Sequence, residues 1–410
     1  MKKKVLVIPS WYPNKIDKIN GSFFQEQALL MSEEFDVKVL FIDFFRPPLF
    51  EFLHGGFLAT FRAFAELFVY KSKRITLPDD KIFQNPPLIY YSVPLLRFTV
   101  KGILARKLDV YLDAFQQVQN TGWVPDIIHA HSVNIGGLVA HRIKDKYKIP
   151  YVITEHMPFA LCNYSRRIRI DVKNSFEEAD RVLSISSDKV RQIGMSGIEI
   201  EPNIVYNYVD ESVFSKVCKK YRPGEQLSIV SIGAASFLKD HITMLRAVKI
   251  LKESEIPFKL MLIGLKVWGN DDTYRGILDF IKINDMTEYI LIVDKVDRSE
   301  IPDYLSRNNI FLITSIAEGL PVSVLEAMAS GLTVIATRHG GTEDVMTEDT
   351  GYIVEIKNFR RIAEILIEIY QGKKLFDPET IRKHIVAVCG TSAFALRMSG
   401  HYNSVINTQR

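Results

Sequence analysis

Apolar residues fall into short runs rich in β-branched side chains, and segments with helical spacing of apolar positions separate them. Runs at 4–8, 37–41, 127–129, 151–154, 181–185 and 204–206 predict strands, with helices predicted at 23–32, 136–147 and 188–193. A second series follows, with strands at 227–231, 259–263, 289–293, 310–314, 333–336 and 351–354 and helices at 242–253, 275–284, 299–306, 321–330 and 359–370. Strands that are continuously apolar are buried on both faces, which is the condition of a parallel sheet covered by helices. The pattern therefore predicts an α/β protein made of two doubly wound parallel sheets in tandem. The polar stretch 214–226, with Lys219, Lys220, Arg222, Pro223 and Gly224, reads as the linker between a first domain at 1–215 and a second at 216–392. Two such sheets leave a cleft at the carboxyl ends of their strands, where ligands settle.

Composition narrows this picture without redirecting it. The 410 residues are 47% apolar and 24% charged, enough for two sizeable cores, and a net charge of +4 gives no reason to expect nucleic acid as a partner. Cys162, Cys218 and Cys389 lie far apart with no CxxC pair, so they read as reduced thiols. The apolar run after Met1-Lys-Lys-Lys stops at Pro9, too short for a secretory signal, and no run is long enough to span a bilayer. A cytoplasmic protein is expected.

The densest chemistry lies in Ser315-Ile-Ala-Glu318-Gly-Leu-Pro321-Val-Ser-Val-Leu-Glu326-Ala-Met-Ala-Ser-Gly331. A strand ends there, a loop follows, Pro321 is pre-set for a first helical turn, and Gly331 is placed to stop the helix. The amides of Gly319, Leu320, Val322 and Ser323 are then free at a helix start, which attracts phosphate. Glu318 precedes that anion site, and Glu326 lies about 7–8 Å along the axis at ~1.5 Å per residue. Elsewhere, Gly21 and Ser22 follow Ser10-Trp-Tyr-Pro13 in a strand-to-helix loop where glycine permits close approach of a ligand. His129 and His131 share one strand face, which could bind metal, but no third ligand is evident and the chain contains no Asp-x-Asp. Glu155 and His156 end another strand at the same edge.

The Glu-x7-Glu spacing within Glu-Gly-Leu-Pro…Leu-Glu-Ala-Met-Ala-Ser-Gly resembles the signature of the family-4 retaining glycosyltransferases, whose fold is GT-B: two Rossmann-like domains facing a cleft. Val205-Tyr-Asn207-Tyr-Val-Asp210…Phe214 is similar to the family's interdomain turn, with Tyr206 and Tyr208 in place of Pro and Gly. The resemblance implies that Gly21, Gly233, Lys239, Glu318, Gly319, Leu320, Pro321, Val322, Ser323 and Glu326 bind a nucleotide diphosphate sugar. It also implies that His131 contacts the transferred sugar, and that Ser22, Glu155 and His156 stand on the acceptor side. Lys239 takes the position of the family's phosphate-binding lysine, while Ala234 stands where many members carry an arginine, leaving Arg298 and Arg338 as possible substitutes. Gly340-Gly341-Thr-Glu-Asp resembles the loop beside the donor. Leu262-Ile-Gly264 resembles the strand end that borders the base, but it continues as Leu265-Lys266 rather than through a second glycine.

The implied activity is retaining transfer of a hexose or N-acetylhexosamine to a glycan or lipid-linked acceptor in polysaccharide synthesis. No metal and no cofactor is expected besides the donor. The last helix, 393–410, is expected to cross back onto the first domain. Eight phenylalanines between Phe44 and Phe68, flanked by Arg46, Arg62, Lys71, Lys73 and Arg74, would suit either a core or a contact with the inner face of the membrane. A GT-B-like epimerase or phosphorylase, or a non-catalytic sugar-nucleotide binder, remains an alternative at this level.

Overall fold

The computed structural model describes residues 2–14, 20–45, 87–94, 100–266, 271–294 and 296–408. The segment 44–74, on which the membrane expectation rests, lies outside the described residues apart from Phe44 and Phe45.

The first sheet contains β1 (Lys4–Pro9), β2 (Asp36–Phe45), β3 (Leu88–Pro94), β4 (Ile127–His131), β5 (Tyr151–Glu155), β6 (Arg181–Ser184) and β7 (Asn203–Ile204), in the order β3-β2-β1-β4-β5-β6-β7. The second contains β8 (Leu227–Ile232), β9 (Phe258–Ile263), β10 (Ile290–Val293), β11 (Ile310–Ile313), β12 (Thr333–Thr337) and β13 (Gly351–Val354), in the order β10-β9-β8-β11-β12-β13. All the pairings are parallel. Both sheets thus run outward from a central pair of strands, and the order reverses between β1 and β4 and again between β8 and β11. Ligands of open α/β sheets bind at such switch points, so the loops after β1, β4, β8 and β11 are where binding chemistry is expected.

Burial on both faces explains the continuous apolar strands. Leu6 and Ile8 of β1 enter one core while Val5 and Val7 enter another on the opposite face. In β11, Ile310 and Leu312 face one way and Phe311 and Ile313 the other. Phe394, Met398, Tyr402, Val405 and Ile406 of the final helix (Thr391–Thr408) pack with Val5 and Val7, so that helix covers the first sheet. The polar linker is anchored rather than loose: Phe214 and Cys218 are buried in a core of the second domain, and the Cys218 amide donates to Ser330 O at 2.8 Å. Burial pushes the Cys218 and Cys389 thiols up to about 12, which makes both poor nucleophiles at neutral pH.

Strand β3 and the helices Val100–Gln119 and Arg169–Glu177 were not anticipated. Strand β3 and the helix Val100–Gln119 complete the first sheet's edge, and Leu108, Tyr111, Phe115 and Val118 place that helix's apolar stripe in the core. The Tyr111 hydroxyl accepts from the Ile42 amide at 3.1 Å and ties it to β2.

Candidate active site

Four loops meet at the two switch points. After β1, Gly21 adopts φ +77°, a left-handed conformation open to glycine, and a Cβ there would press within 3.0 Å of Trp11 and Tyr12. Ser22 then begins α1 (Ser22–Met31), which carries Phe23, Phe24 and Glu26.

After β8, a single 3-10 turn (Phe237–Lys239) brings Lys239 back toward the strand end. Thr314 Oγ1, just beyond β11, donates to the carbonyl of Asp240 at 2.9 Å, and Asp240 in turn caps the helix His241–Glu253 through Thr243. This locks the lysine turn to the neighbouring strand. Gly233 leaves room for the lysine stem, since a Cβ there would lie 3.3 Å from Lys239 Cε.

The ammonium of Lys239 lies 2.7 Å from Glu318 Oε1, and Ser315 Oγ donates to the same oxygen at 2.8 Å. Burial works against charge on Glu318, but Lys239 and Ser315 outweigh it and hold the carboxyl below its ordinary range. A few residues on, Pro321 is the N-cap, one position earlier than its expected place in the first turn, and α-helix Val322–Ala329 follows. The first amides of that helix have no acceptor within it and remain available to an anion. Glu326, on the same helix, is buried, and burial pushes its carboxyl up while Arg298 partly offsets this. Arg298 Nη1 lies 2.8 Å from Glu326 Oε1, an ion pair sealed from solvent on the carboxylate side.

Arg298 also reaches across the cleft, where Nε and Nη2 hold the two oxygens of Glu26 at 2.5 and 3.0 Å. It is thus committed to carboxylates of both domains. Arg338 pairs with Glu355 at 2.9 Å on the surface. Neither arginine pairs with Glu318, the partner of Lys239, in this structure.

The first-domain wall is built of imidazoles. His129 makes contacts of 2.6 Å to the Tyr402 hydroxyl and 2.8 Å to Thr154 Oγ1, so its ring is fixed by the final helix and by β5. His131 Nδ1 lies 3.0 Å from His156 Nε2. Phe24 packs against both His131 and His156, and Phe23 against His156. Burial pushes His129 and His156 down to about 3 and holds His131 well below its ordinary value, so all three rings are neutral at working pH. Glu155, expected on the acceptor side, is buried with its carboxylate held by the amides of Val133, His156 and Met157 at 2.9–3.1 Å. It braces the loop after β4.

The domains touch through backbone. A Cβ on Gly319 would come within 2.6 Å of the His156 carbonyl oxygen, and one on Gly341 within 1.5 Å of the Gly319 carbonyl oxygen, so the Gly340-Gly341 loop, Gly319 and the end of β5 stack directly. Asn207 Nδ2 donates to Leu320 O at 2.9 Å, a contact from the interdomain turn to the loop after Glu318.

Two Rossmann-like sheets facing a cleft, with a lysine–glutamate pair and a free helix start at the second switch point, define a GT-B glycosyltransferase. Models of two families match adjacent parts of the chain: glycosyltransferase family 4 over residues 68–213 and glycosyl transferases group 1 over residues 216–380. The chain belongs to these group 1, family-4 glycosyltransferases. It is 25% identical over 268 residues to N-acetyl-alpha-D-glucosaminyl L-malate synthase of Bacillus anthracis, a match covering 61% of this chain and 66% of that one. It is 23% identical over 276 residues to the UDP-Gal:alpha-D-GlcNAc-diphosphoundecaprenol alpha-1,3-galactosyltransferase of Escherichia coli, covering 61% and 67%. The matched regions span about two thirds of each relative's length. Sucrose-phosphate synthase from Thermosynechococcus elongatus superposes with a TM-score of 0.70 at 17% identity, over 99% of this chain and 100% of that one.

Proposed function

We propose that this glycosyltransferase moves a hexose or N-acetylhexosamine from a nucleotide diphosphate sugar to a glycan or lipid-linked acceptor, with retention and without a metal ion, in cell-surface polysaccharide synthesis. The observation that carries the reading is the Lys239–Glu318 pair beside the first amides of Val322–Ala329, a preformed cation and helix start at a switch point. Lys239 and those amides would hold the diphosphate and take up the charge that develops as the glycosidic oxygen leaves. The Glu326 carboxylate, held by Arg298, suits a ribose hydroxyl, and Glu318 suits a hydroxyl of the sugar. His131 stands across the cleft as a neutral hydrogen-bonding group toward the sugar. In this front-face scheme the acceptor oxygen bonds to the anomeric carbon as the bond to phosphate breaks, and the leaving phosphate oxygen takes the acceptor's proton. No side-chain nucleophile is required, and the protein contributes positioning and charge stabilisation.

The E. coli relative's name carries a diphosphoundecaprenol-linked acceptor, which supports a lipid-linked one here. Among the described residues no helix is long and apolar enough to cross a membrane. Peripheral contact at the inner face of the membrane is part of the proposal, through the phenylalanines and cations of 44–74.

A thermal-shift panel of UDP-, GDP- and ADP-sugars, each with and without a divalent cation or chelator, tests the donor. One nucleotide class should raise the melting temperature, because a ligand that binds only the native form stabilises it. Binding that vanishes with chelator would overturn the metal-free reading, and interconversion of the donor without acceptor would favour an epimerase.

A further inference from the structure

We infer that Glu26 and Gln27 of α1 are positioning residues for transfer, and that they act across the cleft on the helix Val322–Ala329 through two separate links. The inference rests on the reading of that helix start as the diphosphate site and of the Gly21 loop as the neighbour of the transferred sugar. Helix α1 opens directly after Gly21, so the loop facing the sugar and the residues that reach the other domain belong to one rigid element.

The first link is ionic. Arg298 begins the 3-10 turn Arg298–Glu300 after β10, and a capping box between Asp297 and Glu300 fixes the backbone there. Its Nε and Nη2 lie 2.5 and 3.0 Å from the two oxygens of Glu26, and its Nη1 lies 2.8 Å from Glu326 Oε1. A guanidinium is planar, so a two-point grip on one edge sets the direction of the remaining nitrogen. Glu26 thereby aims Arg298 at Glu326. Burial pushes the Glu326 carboxyl up, Arg298 offsets this, and Glu26 adds to it, so the two carboxylates converge only with the guanidinium between them.

The second link is a chain of amides. Gln27 is buried, its Nε2 lies 3.5 Å from Asn207 Oδ1, and Asn207 Nδ2 donates to Leu320 O at 2.9 Å. Leu320 lies just before the helix Val322–Ala329 and Glu326 lies within it. Two adjacent residues of α1 therefore hold that helix on both sides of the amides that would bind the diphosphate. A slide or tilt of one helix against the other would break at least one link. As a rim ion pair alone, Glu26–Arg298 would matter little, because both side chains are about a third exposed. Its effect comes from where it ends, on the buried carboxylate of the donor helix.

The test compares the wild type with Glu26→Ala, with Arg298→Lys, which keeps a positive charge beside Glu326 but loses the fork, and with the double variant. Binding of UDP, GDP and ADP is titrated by calorimetry. Turnover is followed as diphosphate released from UDP-glucose, UDP-N-acetylglucosamine, GDP-mannose and ADP-glucose, with a membrane lipid extract as acceptor. Hydrogen exchange is read over residues 22–31 and 318–329. Glu26→Ala should lower kcat about 5–20-fold, the coupling expected of one bidentate ion pair, with the diphosphate Kd changed less than about threefold. Exchange should rise in both segments and not in the rest of either domain, with the melting temperature within about 4 °C of wild type. Arg298→Lys should reproduce the loss in kcat, and the double variant should lose no more, because Glu26 acts only through the guanidinium. Additive losses, or unchanged kcat and exchange in Glu26→Ala, would overturn the inference. Should Glu26→Ala fail to fold, Glu26→Gln, which keeps the shape of the side chain and removes its charge, decides by the same readings. A wild type that binds none of the three diphosphates, with the exchange change still present in Glu26→Ala, would count against the functional reading and not against the link between the helices.

Discussion

On the second-domain wall of the cleft, charges are paired: Lys239 with Glu318, and Arg298 with Glu326. On the first-domain wall one carboxylate, Glu26, meets Arg298, and beside it stand three neutral imidazoles: His131 and His156 pack against Phe23 and Phe24, and His129 is held by Tyr402 and Thr154. The difference follows from what each wall would face. A diphosphate needs fixed positive charge, and a lysine already paired with a glutamate arrives without a large reorganisation. Sugar hydroxyls need oriented donors and acceptors, for which a fixed neutral ring is better suited than an ion that would have to be desolvated.

Replacing Lys239 with alanine should separate the two walls most sharply. It removes the cation at the leaving group, and transfer should fall about 10²–10³-fold in kcat, the range found for a lost charge-stabilising donor. Steady-state kinetics with the donor identified by thermal shift would show this. Retention of full activity would move catalysis away from the charged wall altogether.

Acid should act on the imidazole wall first. His129 and His156 have folded values near 3 against an ordinary 6.5, so between those limits the unfolded chain binds more protons than the folded one. Stability is therefore fully present above pH 6.5 and is lost as pH falls, by about 1 kcal/mol per pH unit for each ring. Glu318 is shifted in the same direction but from a lower ordinary value, so its contribution is present above the ordinary carboxyl range and is lost only as pH falls below it. Urea unfolding at pH 7, 6 and 5 should show the decline, and His129→Asn should make the slope shallower by about one ring. A flat profile from pH 7 to 5 would mean that the rings are not held neutral.

How much of this was legible depended on sequence distance. The strand series and the helix after Pro321 are local patterns, and each element lies within two residues of its expected bounds except β2, which runs four residues further to Phe45. The helix Val100–Gln119 had a usable signal in Leu104, Leu108, Tyr111, Phe115 and Val118, but it follows the aromatic and basic stretch at 44–74, whose stripe drew the reading toward a surface helix. The His131–His156 contact was present only in the register of two neighbouring strands: His131 pairs with Thr154, and His156 lies two residues further, hence on the same side of its chain as Thr154. The Arg298 bridge to Glu26 joins residues 272 apart and needs the docking of two domains, which no periodicity encodes.

The smallest expected effect concerns the arginine missing at Ala234. Arg338 was a possible substitute, yet its guanidinium is more than half exposed and pairs with an exposed Glu355. An ion pair of that kind is worth at most about 1 kcal/mol and is weakened by salt. Arg338→Ala should leave donor affinity within about twofold and the melting temperature almost unchanged, measured by the same thermal shift at low and moderate ionic strength. A tenfold loss of donor affinity would show that Arg338 turns from Glu355 to the diphosphate on binding. The charged wall would then carry two free cations, and its contrast with the imidazole wall would be larger than the unliganded geometry shows.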